Sequence, residues 1–541
     1  MSQPRRLAAA LVCCLLAAGG ASAQSRDPLA LPDMGSSADT LITPAQERQY
    51  GEGLHQQLRA FGMLLEDPLL DEWLHRLGQR LASEADRPQQ DFTFFWMRAR
   101  DINAFATLGG FVGMNAGLVL TAETEDEVAA VMAHEIAHVT QRHIVRAVER
   151  QSKDSLPILL GTIAAIAVAQ QAGGTSAGNA TQAAITSGIA LMQQRAINHT
   201  RANEYEADRV GILILQRAGY EPMAMADFFA RMHRSLRSTI GEEAPEFLRT
   251  HPVTNSRISE AKGRAEGATR PLGFVPPTAL RGPLHPLLPE RIARDLDVDG
   301  TPDRSLFPWV QARLRVLSAE SPARAMDELQ RRNLSLGESL PEAERYALAL
   351  ALGLNGRAAE GLVELERVRE SPPGVWLPLA RAELLHLAGR QSESNALYAE
   401  LTARHPGSRT VALSQAESLI RLGTPEAGLQ AQAALRPLLQ GRSSDAALQR
   451  SLGRASELAG DTIRATEAHA EAAFLSGRAE DALNQLQTLA RREDLDYYQR
   501  ARVDARITEL TPIVLELRER GQRVSRSQTG GLGLRAEPRM R

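Results

Sequence analysis

Cysteine is nearly missing from this chain: there are two in 541 residues, Cys13 and Cys14. Both lie in an apolar run, Leu7 to Ala18, that follows Arg5 and Arg6 and precedes Ala21, Ser22 and Ala23. That order of charged, apolar and small residues reads as an export signal cut after Ala23, its run short of the ~20 residues a spanning helix needs. A mature chain starting at Gln24 has no cysteine, which excludes disulfides, thiol nucleophiles and cysteine metal sites even in an oxidising compartment. Aromatic residues are also scarce, at 4%. With Ala and Leu abundant, the expectation is a largely helical protein. Neither sign of charge dominates: the 62 basic residues less Arg5 and Arg6 leave 60, against 65 acidic ones. Nucleic acid is thereby excluded as the main partner. Long hydrophobic runs are missing too. The longest candidate lies in the stretch from Ser155 to Gln194, which has no charged residue. Its apolar part, LPILLGTIAAIAVA, is interrupted at Gly161 and is short for a bilayer. The expectation for 155–194 is a hairpin or flap packed over a cleft, open to peripheral contact with a membrane or partner.

What is present divides by texture. On a soft prior of about 150 residues per domain, the length suggests two to four domains. Residues 1–23 are the signal, and 24–42 form a flexible lead rich in Pro, Ser, Gly and Asp. Residues 43–265 are mixed and hold the convincing strands: DFTFFWMRA at 91–99, and NAFATLGGFVGMNAGLVL at 103–120, read as two strands joined at Gly109 and Gly110. A linker spans 266–300, helices fill 301–520, and 521–541 read as a disordered basic tail. In the helical part Gly356, Gly389, Gly423, Gly460 and Gly477 punctuate paired amphipathic segments. Their first three intervals are 33, 34 and 37 residues. Those intervals are close to the tetratricopeptide period of about 34. Each helix hairpin cannot bury its apolar face alone, so stacking predicts a solenoid with an extended surface suited to proteins. The fold class expected is therefore mainly α with a small β-sheet, ending in an α-solenoid.

One stretch of the mixed part carries chemistry. In TETEDEVAAVMAHEIAHVTQRH, Thr124 and Glu127 have capping-box spacing and predict a helix start. His134 and His138 are four apart, so both imidazoles share one helical face, with Glu135 about 100 degrees round from His134. In this H-E-x-x-H pattern two histidines hold zinc and the glutamate acts as general base. Zinc sites of this type take three protein ligands and keep the fourth position for a water whose pKa falls towards about 7. A third ligand is sought downstream in HTRANEYEADRVGILILQRAGY, where Glu204 and Asp208 are four apart. A carboxylate there completes the set, while Asp208 can orient an imidazole. Periodicity barely separates Glu204 from Glu206, and His199 stays open on chemistry alone.

HEIAH, NEYEAD and THPVTNSRI (250–258) together resemble the HtpX and CAAX prenyl endopeptidase family of zinc metallopeptidases, which carries H-E-x-x-H, then E-x-x-x-D, then H-P-x-x-x-x-R-I. All three motifs are present without departure. The resemblance implies a zincin-like α+β domain with one Zn2+ per chain, held by His134, His138 and Glu204. It further implies Glu135 as catalytic base and Asp208 behind the ligands. It places His251 and Arg257 near the site, His251 as a fourth ligand that holds the enzyme off or as a substrate contact, and Arg257 on a carboxylate or backbone carbonyl. Peptidases of this kind add an extended substrate to a sheet edge, and GGFVGMNAGLVL offers one. With the export signal and repeats, the resemblance implies a periplasmic endopeptidase, in part chaperone-like and peripheral to the outer membrane. Its clients would be unfolded or misassembled outer-membrane proteins, and its repeats would meet the β-barrel assembly machinery. A repeat scaffold with only secondary proteolysis and a membrane-associated processing peptidase are the other readings.

Overall fold

The computed structural model describes residues 43–86, 90–147, 149, 200–238, 246–268, 302–336, 340–370, 372–439, 445–476 and 478–529. The expected signal and lead, the 155–194 segment, most of the linker, His199, Gly477 and the end of the tail lie outside them.

Helix α1 (Pro44–Ala60) starts at Thr43, whose hydroxyl accepts from Gln46 N while the Gln46 amide oxygen accepts from Thr43 N, so two otherwise orphaned donors are satisfied. After β1 (Leu64–Leu65), Asp67 caps α2 (Pro68–Ser83) by accepting from Leu70 N at 3.1 Å. Strands β2 (Thr93–Met97), β3 (Ala104–Ala106) and β4 (Phe111–Asn115) join β1 in one sheet of order β1-β2-β4-β3. β2 runs parallel to β4, with Thr93 opposite Phe111, and β3 runs antiparallel to β4.

The 103–120 stretch departs from its expectation in two ways. β4 is fully buried between two neighbours, so the edges of the sheet are β1 and β3 and not the GGFVG strand. Moreover, β4 stops at Asn115 and the next residues form α3 (Ala116–Thr121). At the start of this helix Gly117 lies against the Arg100 carbonyl so closely that a Cβ would fall 1.8 Å from its oxygen. Gly109 and Gly110 do make the β3–β4 turn, with φ of 74° and 82°. A Cβ on Gly109 would sit 2.5 Å from Arg48 Cα of α1, so the turn needs glycine both for its φ and for its space.

Helix α4 (Glu125–Thr140) follows, capped by Thr124, with a short helix α5 over 143–147. Then come α6 over 200–217, α7 (Met223–Ser238), α8 (Glu246–Thr250) and α9 (Asn255–Ala268). Trp73, Leu74 and Leu77 of α2 and Val128, Met132 and Ile136 of α4 are buried in a common core, each large apolar side chain contributing about 1.5–3 kcal/mol.

From Phe307 onward the described residues form helix hairpins: α10 (Phe307–Leu317) with α11 (Pro322–Leu336), α12 (Glu342–Leu354) with α13 (Ala358–Glu366), α14 (Trp376–Leu387) with α15 (Gln391–Arg404), α16 (Arg409–Leu422) with α17 (Pro425–Leu439), α18 (Ala446–Leu458) with α19 (Thr462–Leu475), and α20 (Ala479–Ala490) with α21 (Tyr497–Thr529). Gly356, Gly389, Gly423 and Gly460 occupy the turns of four hairpins with φ between 70° and 81°. α21 runs into the segment expected as a tail. The molecule is mainly helical with one small sheet. The first hairpins share the core of the preceding part: one apolar cluster extends from Leu65 to Val411. At the junction Arg313 of α10 is buried and donates from Nε and Nη2 to the two Asp67 oxygens at 2.8 and 2.7 Å. Further along, Arg409 lies 3.7 Å from Asp71, Thr410 donates to Glu72 at 2.7 Å, Arg450 pairs with Glu66, and Arg59 donates to the Leu475 carbonyl at 3.1 Å. No helix of the described residues is long and apolar enough to cross a membrane.

Candidate metal centre

α4 carries His134, Glu135 and His138, and α6 crosses it closely enough to bring Glu204 and Asp208 alongside. Gly211 is the contact that permits this: a Cβ there would lie 3.2 Å from His134 N and 3.3 Å from Ala133 C. The turn between α8 and α9 supplies His251, and α9 supplies Arg257. His134, His138, Glu204 and His251 thus converge, each offering one ligand atom, all within 4.8 Å of one another.

The distances are specific. His134 Nε2 lies 3.0 Å from His138 Nε2, 3.4 Å from His251 Nδ1 and 3.4 Å from Glu204 Oε2. His138 Nε2 is 3.5 Å from Glu204 Oε1, and His251 Nδ1 is 3.1 Å from Glu204 Oε2. Ligands at zinc bond lengths of about 2.0–2.2 Å in a tetrahedron are separated by about 3.4 Å. Five separations among the donors, at 3.0–3.5 Å, are close to that value, and three imidazole nitrogens with one carboxylate form a set zinc accepts, so the residues fit the ion. Glu135 is 1% exposed, and its Oε1 has no hydrogen-bond partner among the described residues. It faces His251 Nε2 at 3.5 Å.

Behind the donors stands a layer of fixed charge. Asp208 Oδ1 is 3.0 Å from His134 Nδ1. Arg257 grips Asp208 with two donors, Nε to Oδ2 at 2.8 Å and Nη2 to Oδ1 at 2.7 Å. Its Nη1 reaches the Pro252 carbonyl at 3.0 Å and Glu204 Oε2 at 2.9 Å, and the guanidinium lies over the Phe229 ring. The second arrangement, around His138, was not read from the sequence. His143 Nδ1 lies 2.8 Å from His138 Nδ1, His143 Nε2 lies 3.1 Å from Glu206 Oε2, and Arg146 donates to the same oxygen from two nitrogens at 3.1 Å. Glu204 and Glu206, hard to tell apart in the sequence, therefore face different imidazoles. His143 is five residues from His138, off the shared face of a regular helix. It folds back because Arg142 takes a left-handed conformation, φ 53°, held by an ion pair to Glu47. The doubled histidine of HVTQRH was the available signal, and it has no helical period.

Burial opposes charge on His134, yet the carboxylates of Asp208 and Glu204 outweigh it and push the imidazole up to about 10. Burial and the adjacent His134 hold His138 well below its ordinary value. Glu204 is desolvated, which favours its neutral form, but the imidazoles of His134 and His251 keep it far below the carboxylate range. His143, against the smaller opposing effect of burial, holds Glu206 down to about 2. Two buried carboxylates facing one imidazole cluster create a strong local preference for positive charge, which a divalent cation satisfies.

Residues 68–265, which include every donor above, match the model of peptidase family M48. The chain is 39% identical over 267 residues to the beta-barrel assembly-enhancing protease of Escherichia coli (strain K12), a match covering 48% of this chain and 53% of that protein. It is 31% identical over 163 residues to the mitochondrial metalloendopeptidase OMA1 of Saccharomyces cerevisiae, covering 29% of this chain and 41% of that one. With the protease HtpX of Actinobacillus pleuropneumoniae it shares 30% identity over 214 residues, 35% of this chain but 71% of that protease. The matches span about half the length of the assembly-enhancing proteases, and most of the length of HtpX. On the shared segment and its donor cluster, the chain belongs to peptidase family M48.

Proposed function

We propose that this chain is a zinc-dependent endopeptidase of the periplasm, acting on unfolded or misassembled outer-membrane β-barrel proteins that its tetratricopeptide-like hairpins present. The observation that carries the chemistry is the convergence of His134, His138, Glu204 and His251, with ligand atoms within 4.8 Å of one another, beside the buried Glu135, whose Oε1 makes no hydrogen bond among the described residues. The relatives named for β-barrel assembly support the choice of clients and of the assembly machinery as a partner.

In this mechanism His134, His138 and Glu204 hold one zinc ion. Once bound, the ion polarises the scissile carbonyl and acidifies the attacking water towards a pKa of about 7. Glu135 takes the proton of that water and passes it to the departing amine. Asp208, clamped by Arg257, fixes the His134 ring so that Nε2 faces the centre. The substrate lies extended along the free edge of β3, which packs beside α4. His251 Nδ1, 3.1 Å from Glu204 Oε2, could also hold the ion in place of the attacking water, and the site would then open when His251 leaves Glu204.

The test is zinc content and cleavage of an unfolded outer-membrane protein by wild type and Glu135→Gln. Full zinc in both with cleavage lowered about 10²–10⁴-fold in the variant is expected for loss of a general base. Equal cleavage by the two would reject the assignment of Glu135. Zinc binding without Glu135-dependent cleavage of any client would leave a repeat scaffold as the better description.

A further inference from the structure

The way the two ligating imidazoles of α4 are backed differs, and the difference fixes proton positions. His134 meets a carboxylate directly at Nδ1, Asp208 at 3.0 Å. His138 meets another imidazole, with His143 Nδ1 at 2.8 Å, and the carboxylate Glu206 stands one residue further out at 3.1 Å from His143 Nε2. Two ring nitrogens at that distance require that one carries the hydrogen and the other a lone pair. His138 turns Nε2 to the donor cluster, 3.0 Å from His134 Nε2. A neutral imidazole whose Nε2 lone pair is given to a metal carries its hydrogen on Nδ1. His143 must then accept at Nδ1, which places its own hydrogen on Nε2, directed at Glu206. Arg146 completes the series by donating twice to the Glu206 oxygen. Every donor meets an acceptor in this assignment, and exchanging the hydrogen on either ring would set two lone pairs or two hydrogens face to face.

We propose that His143 and Glu206 are positioning residues for the metal centre: a relay His138 Nδ1–H to His143 Nδ1, and His143 Nε2–H to Glu206, that locks the tautomer and orientation of His138 as a ligand. This rests on the reading of His138 as a zinc ligand. The relay is built into the fold. His143 is 3% exposed. Its position depends on the left-handed Arg142 that turns α5 back against the end of α4, and the Arg142 ion pair to Glu47 ties that turn to α1. Glu206 and Glu204 are two apart on α6, so one helix supplies both a donor to the ion and the end of the relay. Through the intervening ring the Glu206 carboxylate makes His143 Nδ1 a stronger acceptor, which draws on the His138 N–H and raises the electron density at the ligating Nε2.

The experiment uses the full chain and zinc alone, with affinity measured by competition against a chromophoric chelator. The absorption spectrum of the cobalt-substituted protein, a direct report on ligand geometry, is recorded in parallel. His143→Ala is expected to weaken zinc binding about 10–100-fold, as loss of such an outer partner does, and to shift the cobalt bands. In His143→Asn the amide oxygen sits where ring Nδ1 was and accepts from His138, so affinity and spectrum return towards wild type. Glu206→Ala is expected to weaken binding, and the double variant His143→Ala/Glu206→Ala to be no weaker than His143→Ala alone, because the two act in series. Equal losses for His143→Asn and His143→Ala, or additive losses in the double variant, overturn the relay and leave a packing role. Tight binding by wild type with His143→Ala unchanged overturns it as well. Failure of wild type itself to bind zinc overturns the reading of the whole centre, and the relay with it.

Discussion

In the proposed mechanism the state of the site turns on His251. Its Nδ1 stands 3.1 and 3.2 Å from the two Glu204 oxygens and its Nε2 3.5 Å from Glu135, so one ring touches both a metal donor and the base. Replacing it with alanine is expected to lower zinc affinity, since one of four donors goes, and to raise the cleavage rate, since the water position opens. Unchanged values for both would reject its role as a closing ligand. Gly211 acts at the same scale by steric means. Gly211→Ala places a methyl 2.9 Å from the Met225 tip and 3.2 Å from His134 N, a backbone atom that cannot give way. A loss of about 1–3 kcal/mol is expected for such overpacking, with looser zinc binding because α6 carries Glu204. A thermal midpoint and a zinc titration check both, and a variant matching wild type in each would remove Gly211 from the account. His134, Glu135 and His138 were legible because four-residue spacing is a property of any regular helix. Glu204 needed a family motif, since nothing in α6 alone distinguishes it from Glu206. His143 was hidden because its placement depends on one left-handed residue, and no periodic pattern carries that information.

At the scale of elements, α4 is held by its first turn. Three successive acids there each find a different partner. Glu125 accepts from Trp73 Nε1 at 3.3 Å and from the Tyr220 hydroxyl at 3.1 Å, Asp126 pairs with Arg304, and Glu127 with Arg231. Negative charge suits a helix N-terminus, but burial pushes the Glu125 carboxyl up to about 7. The folded chain therefore holds this proton more tightly than the unfolded chain, whose value is the ordinary 4.5. Stability contributed by the neutral form is complete at acid pH and is lost as pH rises from about 4.5 to about 7, an effect of about 3 kcal/mol. Glu125→Gln, which cannot ionise, should accordingly gain on wild type in thermal midpoint more at pH 8 than at pH 5. The same difference at both pH values would show that Glu125 does not titrate in that window. The helix and its Thr124 cap were plain in the sequence, whereas α3 was read as strand. GLVL is a short apolar run, and such runs do not reveal by period whether they are buried as strand or helix. The Arg100 carbonyl against which Gly117 packs is seventeen residues upstream.

At the scale of the molecule, the hairpins were legible and their embrace of the first part was not. Glycine at hairpin turns recurs because a positive φ is needed there, and that recurrence is visible in the sequence. The pairing of Asp67 with Arg313 joins positions 246 residues apart, and no local pattern announces it. Asp67→Ala removes a helix cap and leaves Arg313 buried with its guanidinium poorly compensated, a change that costs about 3–5 kcal/mol for a buried pair. The expected result is a lower thermal midpoint together with new sites of limited proteolysis at the junction of α2 with α10. A variant that resists protease as wild type does would show that the apolar core alone fixes the two parts.

The contacts along α1 and α2 have one more consequence. In an ordinary repeat array each unit touches only its neighbours, so units can be gained or lost with little effect on the rest. Here Arg313, Arg409 and Arg450 come from three hairpins and meet Asp67, Asp71 and Glu66 within a few residues of one another. Adding or deleting one hairpin would carry every later arginine out of phase with its acid. The short stretch from Glu66 to Asp71 thus ties three separate hairpins, up to α18, into one register with the peptidase part.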